Sequence, residues 1–525
     1  MRIKLTSNTI CTKNYNVRVV IHAKKFIFKC TAMHACIFLL WPPSLSLFAL
    51  ENSINSFKEL DRWYEVSLDN SKVGHAHSIM RIKDNKVYSK SIFNLSIKRV
   101  GVPIEITSIE KTVESIDGEI LTFSGELKMA GVPVIKSGRI EGDEIIVQEK
   151  QFFREDTKRY KLDPEGLMTW GLLKILKENN FKTAGNEIET KIYSADFGME
   201  APTIARIKTL GSGTIQISGK PRQVFATEIS LSTDNGKVST MNWLDENGFA
   251  VQTTMQLGGL AIEIKQCSMA EAKKSYDSAE FLLNTLVFLE KEIPKSAKTV
   301  QFKIDTLNGT TIHNLYESRN QVVTRLNNSS YLVEVSTDNW KKQDIGKRIV
   351  PNIKFTTPSI MVDSDDPIIQ SLAKIAGAGS KNIFDLSQKL FLFSHHFINK
   401  KNFHIGFASA TEVARTREGD CTEHAVFLAA LGRTMGIPTR VASGLVFMKN
   451  FKDEKNILGF HMWTEFLLKG KWVPLDSALK KLGAHPDRIT LGVSSLDENS
   501  ITEVGVGISE MVGNLSVKIE KIEFK

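Results

Sequence analysis

The chain has 525 residues and a formal net charge of +9, with 42% hydrophobic and 24% charged residues. This length predicts roughly two to four domains, and the composition is typical of a globular protein. The first 50 residues supply 7 basic and no acidic residues, so the remainder carries only +2 (9 − 7). That charge gives no argument for nucleic-acid binding, and we expect no nucleic-acid partner.

Residues 1–50 have the pattern of an export signal. A basic flank precedes the apolar run 31–50, and the small residue Ala49 lies at its end. The run approaches the length that spans a bilayer. Pro42 and Pro43 nevertheless favour a cleaved signal peptide over a membrane anchor. We expect an exported protein of the periplasm or cell envelope, attached to the membrane through this segment if the leader is not cleaved.

Residues 51–273 alternate between polar and apolar side chains in short segments separated by Asn, Asp and Gly. This pattern predicts a β-rich domain, an antiparallel sheet or half-barrel, with one helix within 164–179. Cys267 lies in the strand-like segment AIEIKQC. We interpret it as a small buried apolar residue rather than as a disulfide partner of Cys421.

Two further regions follow along the chain. The region 274–362 is predicted to contain a helix and linker within 274–296, followed by a small β module. From Pro367 the apolar spacing becomes helical. The sequence therefore predicts a last domain of α+β class over 363–525.

A single cysteine lies where a helix of this last domain is predicted to begin. Asp420 is a good N-cap, and Glu423 completes a capping-box pattern. Gly436 and Pro438 are typical of the helix end. Cys421 would then occupy the first helical position, where unpaired backbone N–H groups favour a thiolate, the nucleophilic form of cysteine.

A hairpin further along the chain supplies a histidine and an acid. The segment GFHMWTEFLLKGKWVPLD predicts two strands joined by a two-residue turn at 469–470. In that register Leu468 pairs with Lys471, and His461 and Asp476 point to the same face as diagonal neighbours. A three-residue turn would place them on opposite faces.

Three motifs in this order resemble the transglutaminase-like superfamily of papain-type fold. They are GDCTEHAVFLAALGRTMGIPTRVASGLV around Cys421, HMWTEF at His461 and KWVPLDSA at Asp476. The resemblance covers roughly residues 365–525. Met462 follows the histidine where the family more often has a small residue, which removes no catalytic atom.

The resemblance implies a thiol enzyme with a Cys-His-Asp triad. Cys421 would attack an amide carbonyl of a peptide or protein and form a thioester, His461 would act as base and acid, and Asp476 would orient the imidazole. We favour hydrolysis, by a peptidase or amidase, over cross-linking. No cofactor and no metal are expected, and no calcium loop of EF-hand spacing occurs.

Other interpretations of these residues remain open at this point. Cys421 could be a buried structural thiol, or it could bind a metal together with His424 and His461. His404 or His485 could replace His461 as the base. The protein could also be a non-catalytic envelope binding or scaffold protein dominated by its β-rich region.

Overall fold

The structure is a computed structural model. It describes residues 59–99, 102–129, 133–151, 154–195, 198–233, 236–257, 259–280, 285–309, 312, 315–338, 352–400, 408–497 and 511–524. The predicted leader 1–50 lies outside the described residues. Within them, no helix is both long enough and apolar enough to cross a membrane.

Sixteen strands of the described residues form one large sheet. They are β1 (Glu59–Leu68), β2 (Ser71–Lys83), β3 (Lys86–Arg99), β4 (Val102–Ser115), β5 (Ile120–Met129), β6 (Val134–Glu141), β7 (Glu144–Gln151), β8 (Arg154–Lys161), β9 (Gly166–Leu167), β10 (Glu187–Ser194), β11 (Gly198–Ile217), β12 (Lys220–Thr233), β13 (Gly236–Leu244), β14 (Ala250–Leu257), β15 (Leu260–Cys267) and β16 (Ala279–Glu280). The β-rich fold predicted for the N-terminal region is confirmed.

The sheet consists of two meanders, and the first strand of one pairs with the last strand of the other. β1 to β8 lie in sequence order on one side and β15 back to β9 on the other, with β1 antiparallel to β15. Two-residue turns with positive φ at both positions, such as Asp69-Asn70 and Asp84-Asn85, connect neighbouring strands. Asp and Asn tolerate this conformation, and its twist matches that of the strands.

The helix predicted within 164–179 is present as α1 (Thr169–Glu178). Its N-cap residue Met168 provides no side-chain cap. Glu114 of β4 takes that place, because its carboxylate accepts hydrogen bonds from the backbone N–H groups of Trp170 (2.8 Å) and Gly171 (2.9 Å). The start of the helix is therefore satisfied by a residue of the sheet.

The prediction of a helix within 274–296 is wrong for the described residues of that range. A helical turn, α2 (Met269–Ala272), ends before it. The range contains β16 and β17 (Val287–Phe288) instead. Val287 and Leu289 are buried and Phe288 is exposed. Burial therefore alternates with the period of two that is typical of a strand, and not with the period of a helix.

A small four-stranded sheet follows in the order β19-β20-β18-β26. Its strands are β18 (Thr299–Thr306), β19 (Gln321–Arg325), β20 (Ser330–Ser336) and, from the C-terminal part of the chain, β26 (Leu515–Glu523). The strand 515–523 thus pairs with the module predicted over 274–362. The predicted boundary at 362 stays a prediction.

The remaining elements form a helical layer on a third sheet. The helices are α3 (Pro367–Gly377), α4 (Ile383–Phe397), α5 (Ala410–Thr416) and α6 (Cys421–Thr434); the strands are β21 (Thr439–Phe451), β22 (Glu454–Leu468), β23 (Lys471–Asp476), β24 (Lys481–Leu482) and β25 (Arg488–Ser494). The strand order is β24-β23-β22-β21-β25, and β17 also pairs with β22. The predicted α+β character of this region is confirmed.

Helix α6 lies at the centre of this layer. Every residue from Cys421 to Arg433 is buried. Gly432 permits its close approach to β22, because a Cβ there would lie 2.6 Å from the ring of Phe466. Since a helix that is enclosed on all sides cannot shift without breaking contacts on several elements, its first residue has a fixed position.

The three sheets share one hydrophobic core. That core contains Leu68 and Ile97 of the large sheet, Phe302 of the small sheet, and Leu445 and Phe460 of the third. The large sheet and the small sheet therefore support the strands that carry the candidate site.

Candidate active site

The N-terminus of α6 has the capping box that the sequence predicts. The Asp420 carboxylate accepts a hydrogen bond from the backbone N–H of Thr422 at 3.0 Å. The Glu423 carboxylate accepts one from the N–H of Asp420 at 2.8 Å. Cys421 is the first helical residue and is only 3% exposed. Its thiol lies at the positive end of the helix dipole, which favours an anion.

Gly419 makes this cap sterically feasible. Its φ is +153°, and a Cβ built at this position would lie 2.3 Å from Cβ of Glu423. The Glu423 side chain folds back against the glycine in order to reach the N–H of Asp420. In the tripeptide Gly-Asp-Cys, the glycine therefore leaves room for the Glu423 side chain, and the aspartate caps the helix.

The β22–β23 hairpin has the predicted register. Leu468 pairs with Lys471 across a two-residue turn in which Lys469 and Gly470 have φ of 49° and 78°. His461 Nε2 and Asp476 Oδ2 lie 2.9 Å apart, and both side chains are 1% exposed. The two side chains lie on the same face of the hairpin, as the register predicts, and their catalytic roles stay a prediction.

Asp476 is held in its ionised form. Burial by itself would raise the pKa of this carboxyl, but the charge and hydrogen bond of His461 and the charge of Arg488 hold it well below its usual range. Arg488 Nη1 lies 3.3 Å from Oδ2, and the backbone N–H of Leu479 donates to Oδ1 at 2.9 Å. An ionised acid can fix the imidazole orientation and stabilise its protonated form.

Side-chain hydrogen bonds hold the first turns of α6 against the hairpin. The Thr464 hydroxyl of β22 donates to the carbonyl of Ala425 at 2.9 Å. The Ser477 hydroxyl, directly after Asp476, lies 3.3 Å from both the carbonyl oxygen and Nδ1 of His424. These contacts bring the helix start that carries Cys421 to the strands of His461 and Asp476.

Other histidines of this region have structural contacts or lie outside the described residues. His395 Nδ1 lies 2.7 Å from the carbonyl oxygen of Ser477. His485 Nε2 lies 3.2 Å from the carbonyl oxygen of Leu482, and burial lowers the His485 pKa. His404 lies outside the described residues. In the part of the chain that the structure describes, no group of three or more His, Cys, Asp or Glu side chains is arranged to hold a metal ion.

A cavity of about 390 Å³ opens on the side of β22 that carries Trp463 and Glu465. Residues of the small sheet and of the segment that precedes β19 form one wall, and β22, β23 and β25 form the other. Its lining includes Tyr316, Arg319, Trp463, Trp472 and Arg488. Trp463 and Trp472 could be expected to line a groove or to pack in the core, but the sequence gives no signal for a part of the small sheet in this cavity.

The cavity adjoins the histidine and aspartate. The ring centroids of Trp463 and His461 are 6.2 Å apart, with nearly parallel planes. The guanidinium of Arg488 lies 5.2 Å from the centre of the Trp463 ring and contacts Asp476 on its other side. Trp463 and Arg488 therefore separate the cavity from the His461–Asp476 pair by one layer of side chains.

Residues 386–477 match the family model described as the transglutaminase-like superfamily. This range contains Cys421, His461 and Asp476. Residues 386–477 are therefore a transglutaminase-like domain, as the sequence motifs indicated. No curated protein matches the sequence.

Two solved structures resemble parts of the chain. One is described as a "Putative Cysteine Protease" from Cytophaga hutchinsonii, with 15% identity, a TM-score of 0.27, and coverage of 44% of this chain and 90% of that one. The other is the periplasmic domain of TgpA from Pseudomonas aeruginosa bound to ethylmercury, with 13% identity, a TM-score of 0.23, and coverage of 52% and 78%. These TM-scores are too low to support an argument about this chain.

Proposed function

We propose that this protein is a thiol enzyme that acts on amide bonds of peptides or proteins. The observation that carries the proposal is the buried 2.9 Å contact between His461 and Asp476, next to a capped helix that begins at Cys421. A nucleophile, a base and a residue that orients the base are the minimum for this chemistry. The transglutaminase-like domain match supports the same assignment.

In the first half-reaction, His461 removes the Cys421 proton and the thiolate attacks the amide carbonyl. The carbonyl oxygen becomes an oxyanion, for which the backbone N–H of Cys421 is a donor at the helix start. His461 then gives its proton to the leaving nitrogen, the C–N bond breaks, and ammonia or an amine departs. The product is a thioester on Cys421.

In the second half-reaction, water attacks the thioester while His461 accepts one of its protons. The C–S bond breaks, and the thiolate returns with a carboxylic acid as the product. An amine acceptor in place of water would give transamidation. We propose hydrolysis, as in a peptidase or amidase, because cross-linking depends on excluding water from the thioester and no sequence motif indicates a device for that exclusion.

We further propose that the protein works outside the cytoplasm, in the periplasm or cell envelope. The support is the basic and apolar pattern of residues 1–50, which is typical of an export signal. Fusion of these residues to a periplasm-dependent reporter, with the apolar run interrupted by Arg in the control, tests the proposal. A reporter that stays inactive with the intact leader would contradict it.

The test of the chemistry is the rate of iodoacetamide alkylation against pH, followed by mass spectrometry. Cys267 is an internal reference, because burial raises its thiol pKa to about 11. We expect Cys421 to react well below pH 8 and this reactivity to be lost in His461→Ala. His396→Ala is the matched control, since His396 is exposed on α4. A Cys421 profile that is unchanged by His461→Ala would contradict the proposal.

A scaffold function is the second candidate. The observation that favours it is the sixteen-stranded sheet, which forms the largest assembly of strands in the described chain. A Cys421→Ala variant separates the two candidates in cells. An envelope phenotype that survives this substitution favours the scaffold, and a phenotype lost with the thiol favours the enzyme.

A further inference from the structure

The cavity beside the candidate active site has a wall suited to an anionic group on an apolar body. Its aromatic side chains are Tyr316, Trp463 and Trp472. Its charged side chains are the basic Arg319, Arg440, Lys471 and Arg488 and the acidic Asp338 and Glu465, an excess of two positive charges (4 − 2). Concave sites with an apolar lining and a few polar groups are the usual form of ligand pockets.

Three donors in this wall have no acceptor among the residues that the structure describes. They are Nε and Nη2 of Arg488 and Nε1 of Trp463, and all three are buried. The two residues are 3% and 1% exposed. Buried donors are almost always satisfied in folded proteins, so an acceptor from outside the chain is expected here.

Three charged groups of this wall, Arg440, Glu465 and Arg488, have ion-pair partners. Arg440 forms an ion pair with Glu465 at 2.6 Å and lies 4.1 Å from the centre of the Trp472 ring. Arg488 contacts Asp476 through Nη1 at 3.3 Å, and its Nε lies 3.7 Å from Oδ1 of Asp487. These acids compensate part of the Arg488 charge, but neither Nε nor Nη2 has a hydrogen-bond acceptor among the described residues.

We propose that this cavity binds the carboxylate of a ligand whose body is apolar or aromatic. Arg488 Nη2 and Trp463 Nε1 donate to the carboxylate, and Tyr316 and Trp472 contact the body. A terminal carboxylate and an acidic side chain of a peptide share this chemistry. That the ligand is part of the substrate rests on the proposed function, whereas the binding itself does not.

This site would link recognition to the chemistry. Arg488 would contact the ligand carboxylate through Nη2 and Asp476 through Nη1, and Trp463 lies beside His461. The small β module would also contribute to ligand binding, because Tyr316 and Arg319 of the cavity wall come from that part of the chain. Arg488 and Trp463 act on the reaction through Asp476 and His461, so they are positioning residues.

The test uses the full chain with Cys421→Ala, so that no turnover occurs, and isothermal calorimetry with two probes. The probes are N-acetylphenylalanine, which has a carboxylate, and its primary amide, which is neutral. We expect the carboxylate to bind at least about tenfold more tightly than the amide, because hydrogen bonds to charged groups are stronger. Equal binding of the two probes, or no binding of the carboxylate up to about 10 mM, would overturn the inference.

Two variants in the same background locate the site. Arg488→Gln removes the charge, and Trp463→Phe keeps an aromatic ring but removes the Nε1 donor. Each should weaken carboxylate binding by about three- to tenfold or more and leave amide binding nearly unchanged. Arg81→Gln is the matched control, since Arg81 is exposed and pairs with Glu59 on the large sheet.

The outcomes separate this inference from the proposed function. Thermal unfolding identifies a variant that fails to fold, and Trp463→Phe then replaces Arg488→Gln as the deciding variant. Carboxylate binding that is unchanged in the folded variant overturns the inference even if Cys421 is reactive. Binding that depends on Arg488 or Trp463 supports it even if the wild-type thiol shows no activated alkylation.

Discussion

Arg488 donates to Asp476 from the far side of the candidate active site. Its Nη1 lies 3.3 Å from Oδ2, the same carboxylate oxygen that lies 2.9 Å from His461 Nε2. The side chains of Arg488 and Asp476 are 4% and 1% exposed. The acid therefore has a cation on one side and the imidazole on the other, and each of them favours its ionised form.

Removal of the Arg488 charge should cost stability. Arg488→Gln removes a cation that stabilises the buried Asp476 carboxylate, and we expect the free energy of unfolding to fall by about 3 kcal/mol. Urea denaturation measures this change. Arg159→Gln is the control, because its ion pair with Glu144 is exposed and contributes less than about 1 kcal/mol. Equal losses in the two variants would show that Arg488 does not stabilise the acid.

Neutralising Asp476 should reduce the reactivity of Cys421. Asp476→Asn removes the negative charge that stabilises a protonated His461, so less thiolate is present near pH 7. We expect alkylation of Cys421 at pH 7 to slow by about tenfold or more, with Cys267 unchanged. Asp277→Asn is the control, since that carboxylate is 88% exposed. An unchanged Cys421 rate in Asp476→Asn would exclude it from orienting the base.

Local signals account for what the sequence predicts correctly. The start of α6 depends on Asp420 and Glu423, three residues apart, and the hairpin depends on the turn 469–470. Each signal lies within a few residues of the feature that it determines. Once the turn is known, the period of two places His461 and Asp476 on one face.

The features that the sequence analysis missed all depend on contacts between distant segments. β26 pairs with β18 although more than 200 residues separate them, as Phe302 opposite Ile519 shows. Arg488 contacts Asp476 from a different strand, and no local sequence pattern predicts this contact. The incorrect prediction of a helix within 274–296 has the same cause. Val287 pairs with Leu458 of β22, and this distant contact favours a strand at that position.

Gly419→Ala should disturb the helix start. The new Cβ would lie 2.3 Å from Cβ of Glu423, so the side chain that caps Asp420 must move. We expect a loss of about 2–3 kcal/mol in the free energy of unfolding, and slower alkylation of Cys421. Gly142→Ala is the matched control, because its φ is also positive (+63°) but a Cβ meets no atom within 4 Å.

The control separates backbone strain from the clash. Gly142→Ala should cost only about 1 kcal/mol, the usual strain of a left-handed alanine. If Gly419→Ala costs no more than this, the Glu423 side chain moves freely and the capping box is not what fixes the position of Cys421.

Glu114 should give the large sheet a pH-dependent stability. Burial raises the pKa of this carboxyl from 4.5 to about 7, although the N–H groups of Trp170 and Gly171 and the Thr112 hydroxyl oppose the shift. The folded protein therefore binds this proton more tightly than the unfolded chain does. The free energy of unfolding should fall as pH rises from about 4.5 to about 7, by up to about 3 kcal/mol.

Glu114→Gln removes this titration but keeps an oxygen that can accept a hydrogen bond from the start of α1. We expect its stability to vary less with pH than that of the wild type over the same window, as measured by urea denaturation at several pH values. Glu187→Gln is the control, because Glu187 is exposed on β10 and should leave the wild-type dependence intact. If Glu114→Gln keeps the full wild-type slope between pH 4.5 and 7, another group causes it, because the folded state then gains nothing from a proton on Glu114.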